Sequence, residues 1–107
     1  MDTWHFKVIE QVDKFLNALS VGDQAKVRDL FRIFEEFGPT LPVKYMKRIS
    51  GTRELWELRA KRVRIFFYIH GDTGIGVHGI IKKSQKTPIQ EIKTALLRMR
   101  FVKEALQ

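Results

Sequence analysis

Positively charged residues cluster in two short stretches in the second half of the chain. The first stretch precedes an apolar segment at residues 65–69 and contains Arg59, Lys61, Arg62 and Arg64. The second follows a glycine-containing segment and contains Lys82, Lys83 and Lys86. Cations at the ends of adjacent strands, with aromatic residues between them, suit a phosphate backbone that carries unstacked bases. The pattern therefore indicates RNA as a ligand.

The charge is distributed unevenly along the chain. Residues 1–40 contain 5 Lys or Arg and 7 Asp or Glu, a net of −2, whereas residues 41–107 contain 15 and 5, a net of +10. A basic half joined to a slightly acidic half indicates one face that binds a polyanion. The alternative is a basic surface that serves solubility alone.

Few residues are suited to general acid–base chemistry. Histidine titrates near neutral pH, so His70 and His78 are candidates, and a tight turn between their strands would bring them together. Glu57 is a third candidate, although an ion pair with Arg59 or Arg64 is the interpretation that we favour. A structural role for either histidine also stays open.

The composition excludes several classes of site. The chain has no cysteine, no Gly-x-Ser-x-Gly motif and no pair of histidines at metal-ligand spacing, so we expect no metal and no cofactor. Its 107 residues suit one domain, residues 1–107. No segment approaches the roughly 18–20 apolar residues that span a bilayer. The N-terminus lacks the order of a signal peptide. These features favour a soluble cytoplasmic protein.

The first half of the chain predicts a short strand followed by a helical hairpin. Residues 5–10 alternate weakly, as a strand does. Apolar residues then recur at helical spacing in residues 12–19 and again in residues 27–37. We expect Asp23 to cap the second helix and Gly38 to end it. Residues 39–52 are predicted to be a loop.

The second half predicts three strands and a final helix. The strands are expected at residues 54–59, 63–70 and 76–83. Thr87 and Gln90 match a capping box at the start of the helix, with Pro88 at its first position. The buried stripe of this helix is expected to contain Ile89, Ile92, Leu96, Met99 and Val102. The order β-α-α-β-β-β-α predicts an α+β domain with the helices on one face of a small antiparallel sheet.

The strand at residues 63–70 indicates how the sheet is oriented. Its odd positions are all apolar, so they should pack on the helices. Its even positions, with Arg62 before them, contain Arg64, Phe66, Tyr68 and His70. We therefore expect Phe66 and Tyr68 on an exposed face that stacks RNA bases. In the alternative, both rings pack under a loop or the C-terminal segment.

Three motifs resemble the RelE/ParE toxin superfamily, and its phage-derived, HigB-like branch in particular. They are LWELR at residues 55–59, RIFFY at 64–68 and HGIIKKSQKTP at 78–88. The last of these is fairly specific to the branch. The resemblance covers roughly residues 40–100 and implies a small α+β domain.

This resemblance also implies a function. Such proteins are toxins of type II toxin–antitoxin systems that cleave messenger RNA on the ribosome. An antitoxin encoded by the neighbouring gene, often a helix-turn-helix protein, neutralises them. By position, Arg59 and Arg64 match strand arginines that contact RNA phosphates. Lys82 and Lys83 match a basic pair near the scissile phosphate, and Lys86 belongs to the branch motif.

Cleavage of this kind uses the 2′-hydroxyl of the RNA as the nucleophile, and fixed cations stabilise the charge that develops on the phosphate. We expect Arg64 and Lys83 to stabilise that charge, and Arg59 and Lys82 to position the backbone. Arg62, Lys61 and Lys86 would bind flanking RNA.

Two positions depart from the better-studied members of the superfamily. Glu57 stands where those members have a lysine, and Ile89 stands where they have a tyrosine. Two alternatives therefore stay open: a ParE-type protein that inhibits a protein target such as gyrase, and a plain RNA-binding module.

Overall fold

The computed structural model describes residues 3–107, and its centre is a five-stranded sheet in the order β1-β5-β4-β3-β2. The strands are β1 (His5–Val8), β2 (Met46–Arg48), β3 (Trp56–Ala60), β4 (Val63–His70) and β5 (Thr73–Ile81). The helices are α1 (Glu10–Asn17), α2 (Val21–Phe37) and α3 (Ile89–Ala105). The predicted α+β class and order of elements are confirmed. Two differences concern strands: β1 pairs with β5 in parallel, and β2 lies in the predicted loop.

The helical hairpin forms as predicted, but a different residue caps α2. The hydroxyl of Ser20 accepts a hydrogen bond from the backbone N–H of Asp23 at 3.2 Å, so the prediction of Asp23 as the cap is wrong. Ser20 satisfies a backbone donor that the first turn leaves free. Gly38 ends the helix in the left-handed region, with φ of 66°. No helix within the described part of the chain is long and apolar enough to cross a membrane.

An aromatic core joins α1 and α2 to one face of the sheet. The rings of Phe6, Phe34 and Phe67 form a triangle with centroids 5.2–5.5 Å apart, each pair edge to face. A Cβ at Gly74 would lie 2.8 Å from the ring of Phe6, so the strand needs glycine there for the two to approach. The predicted inward positions of β4, including Val63, Ile65 and Phe67, lie in this core.

The opposite face of the sheet is covered by α3, which corrects the prediction that all helices lie on one face. Phe66 and Tyr68 are 0% and 1% exposed beneath it, so the prediction that they stack RNA bases is wrong. Their neighbours from α3 are Ile92, Ala95, Leu96, Met99 and Val102. The open alternative, in which both rings pack under the C-terminal segment, is the one that the structure contains.

The start of α3 differs from the predicted capping box. Pro88 occupies the cap position, and no side chain caps the helix there. The backbone N–H of Glu91 instead donates to the Pro88 carbonyl at 3.0 Å. Ile89 is 70% exposed, so its predicted place in the buried stripe is also wrong.

We predict that Tyr68→Phe stabilises the protein by about 1 kcal/mol, because the buried hydroxyl of Tyr68 has no hydrogen-bond partner among residues 3–107. Burial, and to a smaller extent Glu54, raises the pKa of Tyr68 above its usual 10.0. The folded state therefore holds this proton longer than the unfolded state, and wild-type stability falls as the pH rises above 10. Urea unfolding at pH 7 and above pH 10 checks both effects: the advantage of the variant should widen at high pH. A variant less stable than the wild type at pH 7 would show that the hydroxyl is satisfied.

Candidate nucleic-acid interface

The hairpin of β3 and β4 positions the two arginines of the candidate site. Arg59 and Arg64 are directly paired across these antiparallel strands, so their side chains leave the same face of the sheet. Lys61 and Arg62 form the two-residue connection, and Lys61 has a φ of 56°. That left-handed conformation is unfavourable for a residue that has a side chain. The hairpin thus brings four cations to one end of the sheet.

Glu57 lies between these arginines and is buried, with 3% of the residue exposed. Its Oε1 accepts a hydrogen bond from Nε of Arg59 at 2.8 Å and lies 4.0 Å from Nε of Arg64. The ion-pair interpretation of Glu57 is therefore the one that the structure supports. One carboxylate between two guanidinium groups leaves a positive charge in excess, so the group can hold an anion.

Arg64 is the more constrained of the two arginines. Its Nη1 donates to the carbonyl of Lys61 and, at 3.1 Å, to the carbonyl of Val63. Burial lowers the pKa of Arg64 below its usual value, Glu57 opposes this shift and Arg59 adds to it. An arginine stays charged at neutral pH under such shifts. Arg64 is thus a fixed cation with 14% of its side chain exposed.

The lysine-rich stretch joins the arginines at the hairpin tip. The backbone N–H of Lys82 donates to the carbonyl of Arg62 at 2.7 Å, so the chain that leaves β5 is tied to the β3–β4 connection. A groove of about 460 Å³ is lined by Lys61, Arg62, Arg64, Lys82 and Lys83. An adjoining groove of about 320 Å³ is lined by Glu57, Arg59, Lys82 and Lys86, among others. We call these two joined grooves the basic cleft.

Two residues of the basic cleft were missed in the sequence. Lys47 and Arg48 line the smaller groove from β2, within the segment predicted to be a loop. A strand of 3 residues is too short to show alternation, although the charges of the KYMKR segment were a visible signal.

The structure does not bring the two histidines together, which corrects that prediction. His70 pairs with Thr73 at the turn, whereas His78 pairs with Phe66 in mid-strand. An extra residue in β5 forms a bulge opposite Phe66 and Phe67, and His78 then stacks on the ring of Phe66. The exposed turn and the strand centre are thus separate sites.

Hydrogen bonds of the His78 side chain connect α3 to the sheet. Its Nε2 lies 2.8 Å from Oε1 of Glu91, and its Nδ1 lies 3.0 Å from Nη1 of Arg98. Because arginine is only a donor, Nδ1 accepts and Nε2 donates. Both ring nitrogens are therefore engaged, which favours the structural role for this histidine. Residues 3–107 contain no group of acidic residues, histidines or cysteines that could hold a metal ion.

Comparisons with known proteins agree with this architecture. The model of the family "Phage derived protein Gp49-like (DUF891)" matches residues 14–100, which include all three motifs listed above. No curated protein matches the chain. Among solved structures, this chain is similar to a chain of the archaeal RelE–RelB complex from Pyrococcus horikoshii OT3, with 19% identity and a TM-score of 0.65. That match covers 76% of this chain and 97% of the other.

A second similar structure is the RelB–RelE antitoxin–toxin complex from Methanococcus jannaschii. Its identity is 19% and its TM-score 0.58, with 76% of this chain and 98% of the other covered. Both likenesses confirm the RelE-like fold that the sequence resemblance implied.

We predict that Glu57→Gln destabilises the protein by about 1–2 kcal/mol, because the charged acceptor for Arg59 is lost while the size of the side chain is kept. Urea unfolding at pH 7 measures the change. The matched control is Glu36→Gln on the exposed surface of α2, which should lie within about 0.5 kcal/mol of the wild type. Equal stability of the two variants would mean that the ion pair contributes nothing.

Proposed function

Because the chain belongs to the family of phage-derived Gp49-like proteins, we propose that it is the toxin of a type II toxin–antitoxin pair. In this proposal it is a ribosome-dependent endonuclease that cleaves messenger RNA. The observation that carries the proposal is the basic cleft, which gathers Arg59, Arg64, Lys82 and Lys83 at one end of the sheet.

The chemistry needs a phosphate held among fixed cations. The 2′-oxygen of the RNA loses its proton and attacks the adjacent phosphorus, the bond to the 5′-oxygen breaks, and that oxygen takes up a proton. Extra negative charge develops on the phosphate oxygens in the transition state, where preorganised cations stabilise it most. The nucleophile belongs to the substrate, so no residue of the protein has to supply it.

Arg64 is the residue best placed to stabilise that charge. Its guanidinium is held by two backbone carbonyls and lies near Glu57, so it does not have to be ordered when RNA binds. A planar guanidinium can contact two phosphate oxygens at once. We assign Lys83, which is exposed, to the same phosphate, and Arg59 and Lys82 to the backbone on either side. Lys61, Arg62 and Lys86 would bind the flanking strand.

A second candidate is an inhibitor of a protein target such as gyrase. Glu57 in the cleft and Ile89 at the start of α3 favour it, because both replace residues that the better-studied RNases of the superfamily carry. A plain RNA-binding module is a third candidate.

We predict that induction of the wild type arrests growth and produces new RNA 5′ ends in coding regions, and that Arg64→Ala abolishes both. Genome-wide mapping of 5′ ends after induction measures this. The matched control is Arg28→Ala, which removes an exposed arginine of α2 outside the basic cleft and should cut as the wild type does.

Three other outcomes would contradict the proposal. Arrest without new 5′ ends would indicate a protein target, and absence of arrest would indicate a binding module. Cutting by a folded Arg64→Ala variant at the wild-type rate would remove Arg64 from the mechanism.

We also propose that an antitoxin encoded by the neighbouring gene binds this protein, because both similar solved structures are complexes of RelE with RelB. A helix-turn-helix protein is the expected class. An acidic or apolar segment of it would cover the basic cleft and exclude RNA.

The expected result of co-expression with the neighbouring gene is recovery of growth and a complex that co-purifies. The complex should bind a single-stranded, 2′-O-methylated oligonucleotide at least about tenfold more weakly than the free protein, since the cleft is covered. Fluorescence anisotropy measures this affinity. A complex with undiminished affinity would place the partner elsewhere.

A further inference from the structure

A second cavity lies at the hairpin tip, between α2, β3 and the segment that precedes β2. Its volume is about 420 Å³, within the range of small-molecule sites. Its exposed lining is largely apolar, and the residues that line it include Leu30, Ile33, Tyr45 and Ala60. An apolar cavity of this size, open at the surface of a strongly basic protein, has room for an organic ring.

The cavity is surrounded by cations that have few acidic partners. Lys26, Lys44 and Lys61 are exposed and line it. Lys61 lowers the pKa of Lys26, because the two side chains lie close together at the entrance. Asp29 also lines the cavity, but its carboxylate is paired with Arg32. The entrance therefore attracts a ligand that carries negative charge beside its apolar part.

This cavity shares lining residues with the basic cleft at the hairpin tip, although it lies on the α2 side of the sheet and the side chains of Arg59 and Arg64 leave the α3 side. Arg59 and Arg64 line both, and the backbone N–H of Arg59 donates to the carbonyl of Tyr45 at 2.8 Å. An RNA strand that passes around the hairpin tip would thus meet both the two arginines and the cavity. The left-handed conformation of Lys61, at the tip between them, is a local strain of a kind often found at ligand sites.

We propose that the cavity binds an unpaired base of the RNA strand whose phosphates lie on Arg59 and Arg64. This inference rests on the proposed function, and it adds a subsite that selects nucleotides next to the cut. In this proposal the base lies against the apolar lining, which includes Ala60 and Tyr45, while Lys26 and Lys61 contact its flanking phosphates. A base with its own phosphates satisfies the apolar lining and the cationic entrance together, as single-stranded nucleic-acid sites do.

The test is an abasic scan with the complete protein. Short RNA oligonucleotides, 2′-O-methylated throughout so that they cannot be cleaved, carry one abasic position at a time. Fluorescence anisotropy at about 50 mM salt measures their affinity. We expect one position at which loss of the base weakens wild-type binding by roughly 5- to 150-fold, the range for one stacked base.

Two variants connect that position to the cavity. Ala60→Leu fills the cavity and should remove the difference between the intact and abasic oligonucleotides at that position. Lys26→Ala, an exposed change that spares the core, should weaken both oligonucleotides, whereas Arg28→Ala on another face of α2 should not. Thermal melting verifies that each variant is folded. If Ala60→Leu is unfolded, the comparison of RNA affinity between Lys26→Ala and Arg28→Ala tests the inference.

Several results would overturn the inference. They are an abasic scan that is flat, a localised effect that persists in folded Ala60→Leu, equal effects of Lys26→Ala and Arg28→Ala, or no binding of any oligonucleotide. A flat scan together with loss of the co-expressed neighbouring protein from folded Ala60→Leu would assign the cavity to a protein partner. RNA cutting in cells together with a flat scan would retain the proposed function and reject the subsite. A localised effect without RNA cutting would retain base binding in the cavity and reject the endonuclease function.

Discussion

Burial of β4 on both faces is the constraint on which the rest of the structure depends. Phe67 packs against the helical hairpin and Phe66 and Tyr68 pack against α3, so the middle of this strand has no surface to offer a ligand. A strand buried on both sides can carry a charged residue only near its end. Arg64 is the second residue of β4, where the sheet emerges from its two helical layers. The location of the basic cleft at the hairpin tip follows from this arrangement.

Glu57 resolves the electrostatic problem that this arrangement creates. Two guanidinium groups on facing residues of a hairpin repel each other, and both are partly removed from water. The buried carboxylate stabilises them together, yet it neutralises only one of the two charges. The arginines are thereby held in place while the cleft keeps its attraction for anions. The ion pair therefore explains why a glutamate at position 57 suits this protein, although it departs from the superfamily pattern, and Glu57 does not have to act as a base.

The fold limits the function without deciding it. Proteins that share a fold can differ in activity, and solved structures at 19% identity show the fold alone. What points toward RNA is the combination of fixed arginines, a lysine-rich segment tied to them by the Lys82–Arg62 hydrogen bond, and an adjoining apolar cavity. Phosphate contacts position a strand but carry no sequence information, which base contacts supply. In the proposed function the basic cleft holds phosphates and the cavity holds a base, so the two tasks would be separate in space.

The sequence by itself determined the three helices, four of the five strands and most of the residues of the basic cleft. Alternation defined β4, helical spacing defined α1 and α2, and three motifs identified the family, because these signals are local. It also indicated that Arg59, Arg64, Lys82 and Lys83 form one group, since all four flank strand ends.

Only the tertiary structure decided on which side of the sheet α3 packs. That placement buried Phe66 and Tyr68, which the pattern alone had placed on an open face. It also separated His70 from His78 through the pairing register and the bulge in β5. The cavity beside Tyr45 likewise joins residues from α2, β3 and a segment without a clear pattern. Periodicity reports which residues share a face, but which element covers that face depends on contacts between residues distant in the chain.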